Sequence, residues 1–238
     1  MKPLSIVYAL GRGSIWQDNE LRFSLRSVEK YLEGYGEVFI IGKQPSFGIK
    51  NVTHIQINDV SDYYPALNIM KKIYSYCAGD KGTEDFLFMN DDHWLLRKFN
   101  ISEFPYFYKG ELKDQLTNPT DYAKTIANTI DVLRGYPLKD FDTHTPILYN
   151  KEVFMQIMDK FDWTIPHGYC IKSLYCNLKC MEGTFEQDGK IRKAKNEQQL
   201  RAWLDTHSVF SVADEALNNF LKKRFEKLYP NPSKHEST

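Results

Sequence analysis

Phe86-Leu87-Phe88-Met89-Asn90-Asp91-Asp92-His93 is an apolar run that ends in two adjacent carboxylates and an imidazole. A short apolar run bounded by polar residues reads as a strand buried on both faces. In open α/β sheets ligands collect beyond the carboxyl ends of such strands, which is where Asp91 and Asp92 stand. Paired carboxylates there can hold a hard divalent cation, Mg2+ or Mn2+, that completes its shell with phosphate oxygens and water. His93 can be a further ligand beside Asp92, or simply the residue that turns the chain. The competing reading of the whole string is a solvated Asx-type turn leaving the strand.

Working outward, residues 5–10 form a first strand that ends in Gly11-Arg12-Gly13-Ser14, where the glycines permit a tight loop. Asp18 or Asn19 can cap a helix running to about residue 32, with Leu21, Leu25 and Val28 at inward spacing. Gly34 and Gly36 stop it. Strands follow over 38–42 and 52–57, then a helix over 66–77 with Leu67, Met70, Ile73 and Tyr74 inward, then the strand before Asn90. This βαββαβ-like alternation predicts an α/β fold, a three-layer sandwich around a largely parallel sheet. Beyond residue 97 the pattern loosens. A helix is expected over 122–133, a loop entering a short strand over 142–149 and a helix over 151–160. Residues 183–195 are polar and read as a mobile loop. A C-terminal amphipathic helix is expected over 211–228, capped by Ser211 with Asp214 three residues on. Residues 230–236 read as an extended tail.

With 238 residues and 42% hydrophobic content the chain can bury a full core, as one large domain. Its 31 basic and 31 acidic residues cancel, so no overall field recruits nucleic acid or an anionic membrane. No apolar run approaches the roughly 20 residues that span a bilayer. The N-terminus enters a strand too soon for a signal peptide, so a cytoplasmic protein is expected. Cys77, Cys170, Cys176 and Cys180 match no paired zinc-knuckle spacing and read as packed, reduced thiols. The 15 Tyr and 15 Phe suit stacking on sugar or base rings, or simply core. No Gly-x-Ser-x-Gly elbow, Walker loop or dinucleotide fingerprint is present, which disfavours serine hydrolases, P-loop enzymes and nicotinamide dehydrogenases.

Other candidates carry two readings each. Arg22 and Arg26 share a helix face just after the glycine loop and can clamp a diphosphate, or form an exposed face with Glu29 paired to Arg26. Lys71 and Lys72 invite the same pair of readings. His144 stands in Thr143-His144-Thr145-Pro146, stiffened by the proline, and can be an acid, a base, a metal ligand or an inert loop residue. Asp214 can be functional or only a cap. Lys172 and Asn177 are polar residues in an apolar stretch and can face a pocket.

Four of these segments, in order, resemble the Stealth family of sugar-phosphate transferases, which includes capsule polysaccharide phosphotransferases and the lysosomal N-acetylglucosamine-1-phosphotransferase. Residues 18–31 resemble that family's Leu-Arg-Tyr-Ser-Leu-Arg-Ser-Ile-Glu block, and residues 86–92 its apolar-Asn-Asp-Asp block. His144-Thr145-Pro146 resembles its His-Thr-Pro block, and residues 210–215 its terminal Phe-Ser-Ile-Asn-Asp-Asp block. The combination also resembles compact phage- and bacterium-encoded glycosyltransferase-like proteins. Where the family carries an acidic block at the first strand, this chain reads Tyr8-Ala9-Leu10-Gly11-Arg12-Gly13-Ser14, without an acid.

The resemblance implies a GT-A-like fold and a glycosyltransferase using a nucleotide-activated sugar with Mn2+ or Mg2+. Residues 1–97 are then the nucleotide-sugar-binding half and residues 98–238 the acceptor side. Asp91, Asp92 and His93 are the expected metal ligands. Gly11, Arg12, Gly13, Arg22, Arg26 and Lys172 are the expected donor contacts. His144 is the acid/base candidate, with Asp214 as its partner or a second metal ligand, and Asp92 in catalysis. The acceptor is a carbohydrate or a modified nucleobase, hydroxymethylated DNA included, in a bacterial or infected host cell. Transfer of a sugar 1-phosphate, and a glycan- or nucleotide-binding module without turnover, are the alternatives.

Overall fold

The computed structural model describes residues 3–62, 64–117 and 120–237. The chain opens with β1 (Leu4–Leu10), α1 (Asn19–Tyr31), the short β2 (Leu32–Glu33), β3 (Tyr35–Gly42), β4 (Thr53–Gln56), α2 (Pro65–Cys77) and β5 (Asp85–Asn90). After β5 come β6 (Trp94–Leu95), β7 (Phe99–Asn100), β8 (Phe107–Tyr108), α3 (Asp121–Val132), β9 (Ile147–Asn150), α4 (Lys151–Lys160) and α5 (Ile171–Leu178). The chain closes with β10 (Thr184–Phe185), β11 (Lys190–Ile191), α6 (Glu197–Thr206), β12 (Val209–Val212) and α7 (Asn219–Leu228).

The central sheet has the order β4-β3-β1-β5-β9. β1 runs parallel to β3 and β5, and β3 to β4, while β9 closes the edge antiparallel to β5. β3, β1 and β5 are the inner strands, and Val7 pairs with Phe88 in register. Their apolar runs are buried because both faces are covered. Val7, Phe39, Phe86 and Phe88 pack against α2, α4 and α5 on one side. Ile6, Tyr8, Ile40, Leu87 and Met89 pack against Leu21, Leu25 and Val28 of α1 on the other. The three-layer α/β sandwich is therefore as expected.

The C-terminal third departs from expectation. Residues 209–212 are a strand, not the start of a long helix: β12 lies between β11 and β6 in a small second sheet. Asp214–Ala216 is a 3-10 turn, and α7 starts at Asn219, capped by the side chain of Asn218. Ser211 is thus no helix cap. Its alternating strand pattern is short and all buried, which helical periodicity cannot distinguish. Phe210, Val212, Leu221 and Phe225 build a third apolar cluster with Trp94 and Phe23. The segment 183–195 is ordered into β10 and β11 by pairing with β8 and β12.

The tail also folds back. Ser233, His235 and Glu236 are buried, and Glu236 bridges Ile49. No helix among the described residues is long and apolar enough to cross a membrane.

Candidate functional site

β5 delivers Asn90, Asp91 and Asp92 to the carboxyl end of the central sheet, and a cavity of about 400 Å3 opens beside them. Its walls include Gly11, Gly13, Ser14, Glu20, Asp214 and Lys190. A β-carbon on Gly11 or Gly13 would meet nothing within 4 Å, so the backbone of this loop faces open space. Ser14 ties the loop to the start of α1: its hydroxyl donates to Glu20 Oε2 at 2.7 Å and accepts the Asp18 N–H at 2.8 Å.

The serines of α1 hold the Asp-Asp turn in place. Ser24 Oγ donates to the His93 carbonyl at 2.6 Å and accepts from the Tyr8 hydroxyl at 3.0 Å. Ser27 Oγ accepts the Leu95 N–H at 3.1 Å. These bonds are buried, so each donor or acceptor left alone would be costly. His93 completes the turn from within. Its Nδ1 accepts the Asn90 N–H at 3.2 Å, and the ring is wholly buried. Burial drives its pKa well down and keeps it neutral. His93 lines neither cavity: its Nδ1 holds the turn, and its buried Nε2 has no hydrogen-bond partner among the described residues.

The cavity concentrates negative charge. Glu20, Asp91, Asp92, Asp214 and Glu215 line it against the single base Lys190. Burial, then Asp92 and Glu20, push the Asp91 carboxyl up. Burial raises Glu20 too, with Asp18 and Asp214 adding to it. Asp92 goes the other way: burial opposes ionisation, but adjacent positive charge and the Ser211 hydroxyl hold it low. Ser211 Oγ donates to Asp92 Oδ2 at 2.5 Å, and Lys190 Nζ stands 3.3 Å from the same oxygen. Among the described residues no group of three or more His, Cys, Asp or Glu side chains is placed to hold a metal ion. Two adjacent carboxylates can share a hard cation with ligand oxygens without caging it.

His144 lies elsewhere, on a second cavity of about 450 Å3 that also takes in Asn90 and Lys172. Its loop is held by hydrogen bonds on both sides of the imidazole. The Thr143 and Thr145 hydroxyls bond each other at 2.8 Å. Buried Lys172 Nζ donates to the carbonyls of both threonines at 2.7 and 2.6 Å. Burial lowers the Lys172 pKa to about 8. Lys172 therefore supports the histidine loop while also lining the cavity. His144 Nδ1 lies 2.8 Å from Asp188 Oδ1, and the His144 N–H also donates to that oxygen. Burial would raise the Asp188 carboxyl, but His144 and Lys109 hold it far below the usual range. Nε2 has no hydrogen-bond partner among the described residues. A His–carboxylate pair of this kind fixes the tautomer and leaves Nε2 as proton acceptor.

Asp188 and Lys190 were not legible as site residues, because they sit in the segment that read as a mobile loop. Gly189 between them hinted at close packing: a β-carbon there would lie 2.3 Å from the Val209 carbonyl oxygen. Asp214 is not the partner of His144. It lies on the first cavity, where its charge raises Glu20.

The two arginines of α1 meet the chain's own tail. Arg26 binds Glu236 through Nε and Nη2, both at 2.7 Å, and Arg22 Nε lies 3.7 Å from the same carboxylate. Arg22 also covers the Phe47 ring at 4.6 Å. Neither arginine lines either cavity, and the chain's own tail supplies the anion expected of a diphosphate. Arg12 is exposed and lines neither. Lys72 is buried against Asp59 at 2.6 Å, while Lys71 reaches only the Asn58 carbonyl. Asn177 bonds the backbone of Lys139 and Ser173, not a pocket. Asp18 does not cap α1; its carboxylate takes Lys43 at 2.7 Å and the Ser46 N–H at 2.8 Å.

No protein-family model matches the chain, and no curated protein matches it. Among solved structures it is similar to a glycosyltransferase involved in the glycosylation of the major capsid of PBCV-1. That likeness is 12% identity over 96% of this chain and 99% of the other, with a TM-score of 0.43. It is also similar to the galactosyltransferase LgtC in complex with donor and acceptor sugar analogs, at 11% identity over 96% of each chain and a TM-score of 0.48.

Proposed function

We propose that the chain is a GT-A-like glycosyltransferase that moves a sugar from a nucleotide-activated donor to an acceptor hydroxyl. One observation carries this reading: the parallel strand β5 leads into Asp91 and Asp92 on the wall of a cavity that a glycine loop also lines. That is where an α/β sheet binds a ligand, and the excess of carboxylates favours a cation-bound diphosphate over a bare one. Asp91 and Asp92 would hold Mn2+ or Mg2+ together with the donor's phosphate oxygens. A bound divalent cation there supplies neutralisation of the diphosphate oxygens.

The chain's own residues do the rest. The Gly11–Ser14 loop offers backbone to the base and ribose. Lys190, beside Asp92, adds positive charge toward the phosphates. His144, oriented by Asp188, is the base: Nε2 takes the acceptor hydroxyl proton as its oxygen bonds to the anomeric carbon. The bond from that carbon to the diphosphate oxygen breaks, and its electron pair leaves with the nucleoside diphosphate.

The test is nucleotide release from a panel of UDP-, GDP-, CMP- and dTDP-sugars with Mn2+, with Asp92→Asn as control. A cation-dependent nucleoside diphosphate is expected, falling by about a hundredfold in the variant. Release of a monophosphate from a diphosphate sugar would instead indicate Stealth-like transfer of a sugar 1-phosphate. Saturable donor binding without any turnover, acceptors included, would indicate a binding module.

A further inference from the structure

The two cavities differ in chemistry although the end of β5 borders both. Asp91 and Asp92 line the acidic one, and Asn90 lines the other. The second cavity is faced by Tyr64, Tyr122 and Tyr169 together with Ile69 and Ile171. Tyr122 is 42% exposed, so its ring is available to a ligand. Its hydroxyl donates to Asp142 Oδ2 at 3.0 Å, which leaves carboxylate oxygens at the wall as acceptors. The two lysines there are already engaged, and the exposed Arg192 is tied through one nitrogen. Lys172 bonds the Thr143 and Thr145 carbonyls, Lys109 bonds the Asp142 carbonyl and faces Asp140 at 3.5 Å, and Arg192 bonds Asp188 at 3.1 Å. A phosphate or carboxylate entering this cavity would meet Asp121 and Asp142 and two ammoniums turned to protein carbonyls, with Arg192 and the two histidines as the cations left to it. A neutral ring bearing hydroxyls would find aromatic faces for its C–H surface and acceptors for its O–H groups. The volume, about 450 Å3, lies within the ordinary range for small-molecule sites, roughly 300–1,000 Å3.

We infer that this second cavity is the acceptor site, and that it takes a neutral polyhydroxylated ring, a sugar without phosphate or carboxylate, with one hydroxyl against His144 Nε2. The inference rests on the glycosyl-transfer reading above and goes beyond it by naming where the acceptor sits and what charge it carries. Nucleic acid, an anionic acceptor, falls outside this class. The segment from Asp188 to Lys190 joins the two sites, since Asp188 orients His144 in one and Lys190 meets Asp92 in the other.

The test uses the full chain and saturation-transfer NMR with neutral methyl glycosides of glucose, galactose, mannose and N-acetylglucosamine. Methyl glucuronide and a short single-stranded DNA are the anionic probes. At least one neutral glycoside should bind, and Tyr122→Ala should weaken it by roughly tenfold. The same glycoside should raise nucleotide release by the unaltered protein, with Asp188→Asn lowering kcat and leaving the acceptor KM within about twofold, and Asp188→Glu recovering part of kcat. Three results would each overturn the inference: no neutral glycoside binding, binding indifferent to Tyr122→Ala, or preference for an anionic probe. Cation-dependent nucleotide release without added glycoside reads the first cavity alone. If release persists while glycosides fail, the acceptor assignment is lost and the donor reading stands; if release itself is absent, the donor reading has failed.

Discussion

Gly189 carries more of the site than its size suggests. A β-carbon there would sit 2.3 Å from the Val209 carbonyl oxygen and 3.3 Å from the Phe210 Cα, both backbone atoms that cannot swing aside. The Gly189 carbonyl meanwhile accepts the Ser211 N–H at 3.2 Å. The glycine lets Asp188 and Lys190 lie close on β12, and so lets each reach its partner. Gly189→Ala should push this segment off β12, lowering Tm by a few degrees, about 1–2 kcal/mol for a local clash of this kind. Acceptor-dependent turnover should fall by at least about tenfold, since a displaced orienting carboxylate misplaces the base. Unchanged Tm and full turnover would mean the segment can move without consequence. At the same scale, the serines of the Ser24-Leu25-Arg26-Ser27 string act through single hydroxyls that pin the carbonyl of His93 and the N–H of Leu95. That string contributes to the site by fixing the turn before it, rather than by touching a ligand.

Among the elements, the C-terminal tail is the one whose role reverses expectation. Residues 233–237 lie against the loop at 48–51, with Lys50 N–H donating to the His235 carbonyl at 3.0 Å and Ser237 N–H to the Gly48 carbonyl at 2.9 Å. Glu236 then clasps Arg26 on α1. Partial burial would raise the Glu236 carboxyl, but Arg26 and the Ser233 N–H outweigh it and hold it below its ordinary value. A carboxyl whose folded pKa lies below its unfolded value adds stability above the ordinary range, around pH 4.3, and loses it as the pH falls through the folded value. Glu236→Gln should therefore lower stability at neutral pH by about 2 kcal/mol, the pair being largely buried. The deficit should shrink once the medium is acid enough to protonate the wild-type carboxyl. Urea unfolding of both proteins at the two pH values checks this; equal stability at neutral pH would show that the clasp is decorative.

At the scale of the whole molecule, 31 positive and 31 negative charges balance, yet the fold gathers carboxylates around one cavity. Such a cluster is self-repelling without a counter-charge, which is why burial and neighbours drive Asp91 and Glu20 toward their protonated forms. Mn2+ together with a nucleoside diphosphate should raise Tm, since a ligand at a hundredfold excess over its Kd stabilises by about 2.7 kcal/mol. Asp92→Asn should reduce that shift markedly in thermal melts. A wild-type melt indifferent to cation and nucleotide together would remove the basis for placing the donor in the acidic cavity.

Local pattern alone determined the βαββαβ order of the longer elements in the first 90 residues, though not the two-residue β2, and with it the buried strand before Asn90 and the helix over 151–160. In each, the periodicity of apolar residues and the bordering glycines or caps act within a few residues of one another. The same locality placed Asp91 and Asp92 at a strand end and His144 in a stiff loop. Tertiary structure alone decided which groups meet. Short strands such as β11 and β12 exist only because each pairs with a partner distant in sequence. Asp188 became the partner of His144 across 44 positions, and Glu236 the partner of Arg26 across 210. An ion pair between residues so far apart leaves no local trace, because its energy arises only after the sheet and its covering helices have brought the two charges together.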